Sequence, residues 1–293
     1  MIPDRFEYFA PRSMIEAVGL LQRYSGEAKV LAGGQSLIPL MKFRLANPGY
    51  LVDLRKVPGL TRLEERDGAL VIGAMVRESA IESSDMIRRR YPGLYEASAV
   101  VADPLVRNYA TVGGNIAHAD PANDHPAMML ALRAQVMAEG PGGKRTIPID
   151  DLLVDTLETS LAPEEILTEI RVSQPAPHSG SAYVKLERKV GDYAIAAVGA
   201  QITLDGETCR QAGLGLTNVG PKALRAEAAE RFLVGKRATD EEVLREAGRL
   251  AAEAAEPSSD LRGPAEYKRA MVRTLTIRAL RAAVQRARNG GAA

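Results

Sequence analysis

The sequence is poor in the residues that build metal and disulfide sites. Among 293 residues it has one cysteine, three histidines and no tryptophan. A disulfide needs two cysteines, and a thiolate zinc site or an iron–sulfur cluster needs three or four. The sequence therefore excludes all three. With only four phenylalanines, it also predicts a largely aliphatic core.

Net charge and long apolar runs are lacking as well. The 38 basic and 37 acidic residues give a net charge of +1, which offers no electrostatic basis for binding nucleic acid. The longest apolar runs, such as 194–200 and 127–132, are far shorter than the roughly 20 residues of a membrane-spanning helix. The first five residues do not resemble a signal peptide. Together with the single cysteine, this predicts a cytoplasmic protein.

The remaining composition is that of an ordinary globular protein, with 46% hydrophobic and 26% charged residues. The length predicts about two domains. A segment rich in proline, glycine and serine, 173–180, is the best candidate boundary. Strand and helix patterns are mixed before it, and three predicted strands (182–186, 194–204 and 208–218) precede helices after it. The strand–loop–helix–strand unit predicted over 29–54 is α/β in character.

Two glycine-centred segments are the strongest candidates for a ligand site. Residues 32–37 (Ala-Gly-Gly-Gln-Ser-Leu) join a predicted buried strand to a predicted helix. Residues 111–115 (Thr-Val-Gly-Gly-Asn) lie in a polar stretch, 111–124, for which we predict no regular element. Glycine permits close backbone approach, and amide groups in such loops can bind an anion. Taken singly, either segment is more often a simple tight turn.

Neither segment fits the established single-loop nucleotide motifs. No Gly-Lys-Ser/Thr sequence follows them, as a Walker loop requires, and neither reads Gly-x-Gly-x-x-Gly. The remaining interpretation is a pyrophosphate held by two separate glycine-rich loops.

Four side chains that can bind metals occur close together, at His118, Asp120, Asp124 and His125. A metal site is the less favoured interpretation, because aspartate more often caps a helix. We predict that Asp124 caps a helix beginning at Pro126. A Ser36–His118–Asp124 triad is not supported either, because the sequence has no nucleophile elbow.

A basic run precedes an aromatic residue in the C-terminal half. Lys185, Arg188 and Lys189 occupy a predicted strand, and Tyr193 follows them. The run is either a solvated face of the strand or a source of positive charge near an anionic cofactor. Cys209 lies in an apolar run and is expected to be a buried small hydrophobic residue.

Taken together, the two glycine segments resemble the FAD-binding medium subunits of the molybdenum hydroxylases, which include the xanthine dehydrogenase and aerobic carbon monoxide dehydrogenase families. The similarity covers nearly the whole chain and is carried also by segments 2–8, 41–48, 72–74, 102–104, 185–194, 216–219 and 263–267. It is greatest to the carbon monoxide dehydrogenase medium subunits. Gln35 departs from these, since they commonly have histidine at that position.

The resemblance implies FAD as the cofactor and an α+β fold. It implies an FAD-binding (PCMH-type) region, 1–177, made of two α+β subdomains (about 1–54 and 55–177). An α+β C-terminal domain, 178–293, with a three-stranded sheet plus helices, follows. The residues that the resemblance places around FAD are Ala32, Gly33, Gly34, Gln35, Ser36, Leu37, Val101, Thr111, Val112, Gly113, Gly114, Asn115, Asp124, Leu167, Lys185 and Tyr193.

Within that set, the two loops would hold the diphosphate and neighbouring parts of FAD. Asp124 would bond the polar chain of the cofactor, and Tyr193 would lie near the isoalloxazine. No catalytic acid–base residue and no metal ligand is expected on this chain, since flavin itself performs the electron chemistry.

The resemblance also implies partner chains. One cysteine cannot hold iron–sulfur clusters, so a small two-cluster iron–sulfur subunit and a large molybdenum-cofactor subunit are expected, in a dimer of heterotrimers. No nucleic acid is expected, and peripheral membrane association through the electron acceptor is left open. Two other functions stay open: a stand-alone FAD oxidase of the vanillyl-alcohol-oxidase-like group, and a nucleotide-binding module without a redox role. The substrate and the final electron acceptor are not fixed by this sequence.

Overall fold

The computed structural model describes residues 2–290, which form four sheets surrounded by helices. The strands are β1 Glu7–Phe9, β2 Ala28–Leu31, β3 Tyr50–Asp53, β4 Leu63–Arg66, β5 Ala69–Gly73, β6 Gln135–Gly140, β7 Gly143–Pro148, β8 Leu153–Asp155, β9 Glu158–Thr159, β10 Ile166–Ser173, β11 Ser179–Leu186, β12 Ala196–Asp205, β13 Thr208–Thr217 and β14 Leu224–Arg225. The helices are α1 Met14–Arg23, α2 Leu37–Lys42, α3 Glu78–Ser83, α4 Asp85–Arg90, α5 Pro92–Ala99, α6 Pro104–Arg107, α7 Val112–His118, α8 Asp124–Ala131, α9 Ile149–Leu152, α10 Glu227–Leu233, α11 Glu241–Ala254 and α12 Ala265–Arg288. The predicted α+β class is confirmed. None of these helices is long and apolar enough to cross a membrane.

The first sheet is parallel, with strand order β1-β3-β2. Helix α1 connects β1 to β2 and begins where Ser13 Oγ accepts a hydrogen bond from Glu16 N. Its apolar face (Ala17, Val18 and Leu21) is buried. Because parallel strands end at the same edge of a sheet, the chain leaves β2 into segment 32–36 beside the end of β3.

The second sheet is antiparallel, with order β4-β5-β10-β6-β7. The β4–β5 hairpin turns through Asp67 (φ 52°) and Gly68 (φ 75°), the pair of positive φ angles that an Asp-Gly hairpin turn requires. Helix α7 packs against β5 and β10 of this sheet, and side chains of α5 and α8 contribute to its apolar core.

The third sheet, in the C-terminal part, has the order β11-β12-β13-β14, and α10, α11 and α12 pack on it. The prediction of three strands was short by one, because the two-residue strand β14 pairs with β13 at Gly215 and Leu216. Strands β12 and β13 form a hairpin that turns at Asp205 and Gly206, since their pairing runs up to Asp205–Thr208.

Helix α8 lies between the second and third sheets, and all eight of its residues are buried. The third sheet accepts the helix backbone because glycines face it. A Cβ atom at Gly215 would lie 1.9 Å from the carbonyl oxygen of Ala127, and one at Gly213 would lie 2.0 Å from that of Ala131. Any side chain at either position would push helix and sheet apart.

Candidate cofactor site

The first glycine segment presents a row of unpaired backbone amides. None of the N–H groups of residues 33–37 donates a hydrogen bond within residues 2–290. Gly34 has a positive φ of 75°, and α2 begins directly after Ser36, whose side chain makes no capping hydrogen bond. Successive unpaired amides at a turn before a helix are a typical anion-binding arrangement.

The second glycine segment is the first turn of a helix, so the prediction of no regular element over 111–124 is wrong. Thr111 caps α7, with its Oγ1 atom accepting from Gly114 N at 3.1 Å. The amides of Val112 and Gly113 donate to the carbonyls of Val76 (2.9 Å) and Ala74 (3.2 Å). These contacts compensate for the poor helix propensity of the two glycines.

The first amides of α7 already donate hydrogen bonds within the protein. The start of this helix can therefore form a wall of the site, but these N–H groups are not free to bind a ligand. One polar atom nevertheless lacks a partner: Asn115 Oδ1 is buried and accepts no hydrogen bond within residues 2–290. A buried acceptor without a donor costs free energy, and a donor group on a bound ligand would satisfy it.

The first segment packs against residues 109–114, which include the start of the second segment. A Cβ atom built on Gly33 would lie 2.3 Å from the carbonyl oxygen of Tyr109 and 2.8 Å from Cα of Ala110. A Cβ atom on Gly114 would lie 3.7 Å from that of Ala32. The absence of side chains at these glycines therefore brings the amide row and the α7 start together.

Asp124 lies at the start of α8 and binds side chains of the C-terminal part of the chain. The prediction that it caps a helix from Pro126 is wrong, because the helix begins at Asp124 itself and has no side-chain cap. Its two oxygens accept from the Tyr183 hydroxyl at 2.7 Å and from Lys185 Nζ at 3.0 Å. Burial raises the pKa of Asp124 to about 6, although Lys185 and Tyr183 oppose the shift.

Lys185 is therefore not part of a solvated face. Its side chain is 3% exposed, and Nζ also donates to the carbonyl of Val100 at 3.0 Å. Arg188 and Lys189 lie beyond the end of β11. The ammonium group thus joins α8, the end of α5 and the third sheet at one point.

A second buried polar cluster lies beside this one and was not predicted from the sequence. His125 Nε2 is 2.6 Å from a carboxylate oxygen of Glu78, and the Ser98 hydroxyl donates to the same oxygen at 2.8 Å. All three side chains are fully buried. Glu78 raises the pKa of His125 even though burial opposes it. The sequence signal was weak, since Glu78 is a single charge among ordinary helical residues.

The four candidate metal ligands are thus divided among different contacts. His125 pairs with Glu78, Asp124 pairs with Lys185, and Asp120 accepts from Ala122 N at 2.9 Å. No group of three or more His, Cys, Asp or Glu side chains in residues 2–290 could hold a metal ion.

Val101 and Leu167 are both buried. Val101 follows α5, and its carbonyl accepts from Arg107 Nη1 at 3.1 Å. Leu167, buried in β10, precedes Thr168, whose carbonyl accepts from Ala74 N at 2.9 Å. Ala74 in turn contacts Gly113.

Tyr193 is half-exposed and ends a loop that packs on the Val101 segment. A Cβ atom at Gly191 would lie 2.6 Å from the carbonyl oxygen of Ala102. The guanidinium of Arg262 lies over the Tyr193 ring, 5.3 Å from its centroid. Cys209 is buried, as predicted, and burial raises its pKa to about 11.

Comparison with known proteins identifies the family to which this chain belongs. Residues 4–175 match the family described as the FAD binding domain in molybdopterin dehydrogenase, and residues 181–283 match the CO dehydrogenase flavoprotein C-terminal domain. The chain belongs to the molybdopterin dehydrogenase flavoproteins. It is the FAD-binding component of an oxidoreductase, and FAD is its cofactor.

Individual relatives of this flavoprotein cover its whole length. The carbon monoxide dehydrogenase medium chain of Hydrogenophaga pseudoflava is 46% identical over 97% of this chain and 98% of its own. The 6-hydroxypseudooxynicotine dehydrogenase complex subunit alpha of Paenarthrobacter nicotinovorans is 37% identical over 98% and 97%. A solved carbon monoxide dehydrogenase from H. pseudoflava, which lacks the Mo-pyranopterin moiety of its cofactor, superimposes with a TM-score of 0.95 at 47% identity, covering 98% of this chain and 99% of that one.

The residues of this flavoprotein fit FAD by two observations. The amides of 33–37 offer five unpaired donors next to a helix start, and Asn115 Oδ1 is a buried acceptor awaiting a donor. When bound, FAD can accept electrons one at a time and release two. The protein supplies binding, orientation and electrostatic surroundings.

Proposed function

We propose that this flavoprotein holds FAD between segment 32–37 and the start of α7, and that it transfers electrons from an iron–sulfur partner to an external acceptor. The observation that carries the proposal is the contact between the row of unpaired amides and the second glycine segment. The amide row suits the diphosphate, which carries the strongest negative charge of the cofactor. Gly33 allows the two segments to approach closely enough to enclose it.

The other proposed contacts follow from the same placement. Thr111, Val112, Gly113 and Gly114 form the wall opposite the amide row, and Asn115 Oδ1 accepts from a hydroxyl or amide group of FAD. Outside the two glycine segments, the proposed cofactor contacts are Val101, Asp124, Leu167, Lys185 and Tyr193. Asp124 still has lone pairs free after bonding Tyr183 and Lys185, so it can accept from a hydroxyl of the ribityl chain.

The proposed electron donor lies on another chain. The single cysteine is buried and cannot assemble a cluster. The relatives are named as a medium chain and a complex subunit, which supports a small iron–sulfur subunit and a large molybdenum subunit as partners. We also propose that residues 1–177 and 178–293 are the two domains, since none of the sheets shares strands across 174–178.

The test is to co-express the chain with its neighbouring genes and to follow flavin reduction in the purified complex. We expect substrate to reduce the flavin in the complex and not in the isolated FAD-loaded chain. Cys209→Ser is the matched control and should reduce at the wild-type rate, because this thiol is not an electron carrier. Substrate reduction of the isolated chain would contradict the proposal, and flavin that stays attached after denaturation would favour the stand-alone oxidase.

The substrate is proposed to be set by the molybdenum subunit. The relatives are named for carbon monoxide and for 6-hydroxypseudooxynicotine oxidation, although their flavoprotein chains are similar to this one. Carbon monoxide is the first compound to assay on the complex, since the medium chain named for it is 46% identical. Turnover of an N-heterocycle but not of carbon monoxide would exclude it.

A further inference from the structure

The turn at residues 260–263 contacts the loop that ends at Tyr193 through a charged hydrogen bond. One oxygen of Asp192 accepts from Arg188 Nε at 3.1 Å and Nη2 at 3.0 Å. The other accepts from Arg262 Nη2 at 3.1 Å and from Tyr193 N at 2.8 Å. These bonds, with Arg262 first, lower the pKa of Asp192 to about 2. Asp192 is therefore charged at neutral pH and can pair with both arginines.

Arg262 is itself held in place by a second set of bonds. Asp260 Oδ1 accepts from the backbone amides of Arg262 (2.8 Å) and Gly263 (3.2 Å). Its other oxygen accepts from Lys268 Nζ at 2.8 Å. Lys268 lies in the first turn of α12, and its side chain is only 2% exposed. A buried lysine thus fixes the turn that presents Arg262.

Apolar packing does not hold the tips of these two loops. Val190 and Leu261 are each 95% exposed. The guanidinium covers one side of the Tyr193 ring, while the residue remains 45% exposed. The guanidinium therefore restrains one side of the ring, and the accessible side is left for another planar group.

We propose that Arg262 is a positioning residue for Tyr193, fixing its ring against the flavin and keeping a positive charge behind it. This inference rests on the proposed position of Tyr193 beside the isoalloxazine. A cation over a tyrosine ring restrains both groups. Removing the guanidinium would free the ring without touching the proposed diphosphate contacts.

The experiment measures the fluorescence of bound flavin in the FAD-loaded complex, because a tyrosine in contact with flavin quenches it. The variants are Arg262→Met, Tyr193→Leu and the double variant, and Arg278→Met is the control. Arg278 is an exposed arginine of α12 with no hydrogen-bond or ion-pair partner in residues 2–290. Asp192→Asn, which releases the guanidinium without removing it, replaces Arg262→Met if that variant does not fold.

We expect FAD content to stay at the wild-type level in Arg262→Met and Arg278→Met, and fluorescence is compared per bound FAD in every variant. Fluorescence should rise as much in Arg262→Met as in Tyr193→Leu, should rise no further in the double variant, and should not change in Arg278→Met. A rise in Tyr193→Leu alone would overturn the role of Arg262. No rise in Tyr193→Leu would overturn the placement of Tyr193, and loss of FAD from the wild-type chain would overturn the proposed function itself.

Discussion

Substitution of Gly33 by alanine tests the contact between the two glycine segments. The added methyl carbon would lie 2.3 Å from the carbonyl oxygen of Tyr109, whereas ordinary van der Waals contact begins at 3.4 Å. The neighbouring atoms are backbone, so no side chain can rotate away, and the segments must separate. Overpacking of this kind costs about 1–3 kcal/mol. If that strain falls on the bound state, the Kd for FAD rises between about fivefold and about 100-fold.

The measurement is a fluorescence titration of FAD into apo-protein, together with thermal unfolding of the same samples. Gly142→Ala is the matched control, since nothing lies within 4 Å of a Cβ atom there and its φ is ordinary. It should bind as tightly as the wild type. Wild-type affinity in Gly33→Ala would refute the idea that this contact shapes the FAD site.

Three further predictions concern the side chains around the site. Thr111→Ala removes the cap of α7 and should lower the free energy of unfolding by about 1 kcal/mol in urea titrations, whereas Thr111→Ser should not. His125→Leu leaves Glu78 buried without its partner and should cost about 3–5 kcal/mol. Because the folded-state pKa of His125 is raised, the stability that its charge contributes is complete below its ordinary pKa of 6.5. That stability is lost as the pH rises through the folded-state pKa. The destabilisation caused by His125→Leu should therefore be smaller at about pH 9 than at about pH 6. An NMR titration of the Asp124 carboxyl carbon should have its midpoint near pH 6. Since this pKa is raised, ionisation of Asp124 destabilises the folded state progressively between about pH 4 and 6. A midpoint near its ordinary pKa of 3.8 would contradict the burial argument.

The elements and loops with local sequence signals were predicted well. The strands predicted at 194–204 and 208–218 agree with β12 and β13 to within two residues at each end. The glycines of the first segment likewise mark a turn between a strand and a helix. Such signals need no knowledge of distant parts of the chain.

The errors arose where distant contacts decide the structure. Two adjacent glycines disfavour a helix, yet α7 forms because the 74–76 segment pairs with its first amides. Asp124 has the local appearance of a cap, but β11 supplies Tyr183 and Lys185 as partners. The Glu78–His125 pair spans 47 positions, and nothing near either residue indicates the other.

The burial of α8 on both sides also sets an order of events during synthesis. The helix belongs to the part of the chain made first, but one of its faces is covered by strands ending at Thr217. A nascent chain that has only just passed residue 175 therefore carries an apolar helix open to solvent, and Asp124 lacks Lys185. In the proposed site, FAD loading through Asp124 and Lys185 would wait until the C-terminal sheet has been translated and has docked, so truncated products are expected to be apo and prone to aggregate.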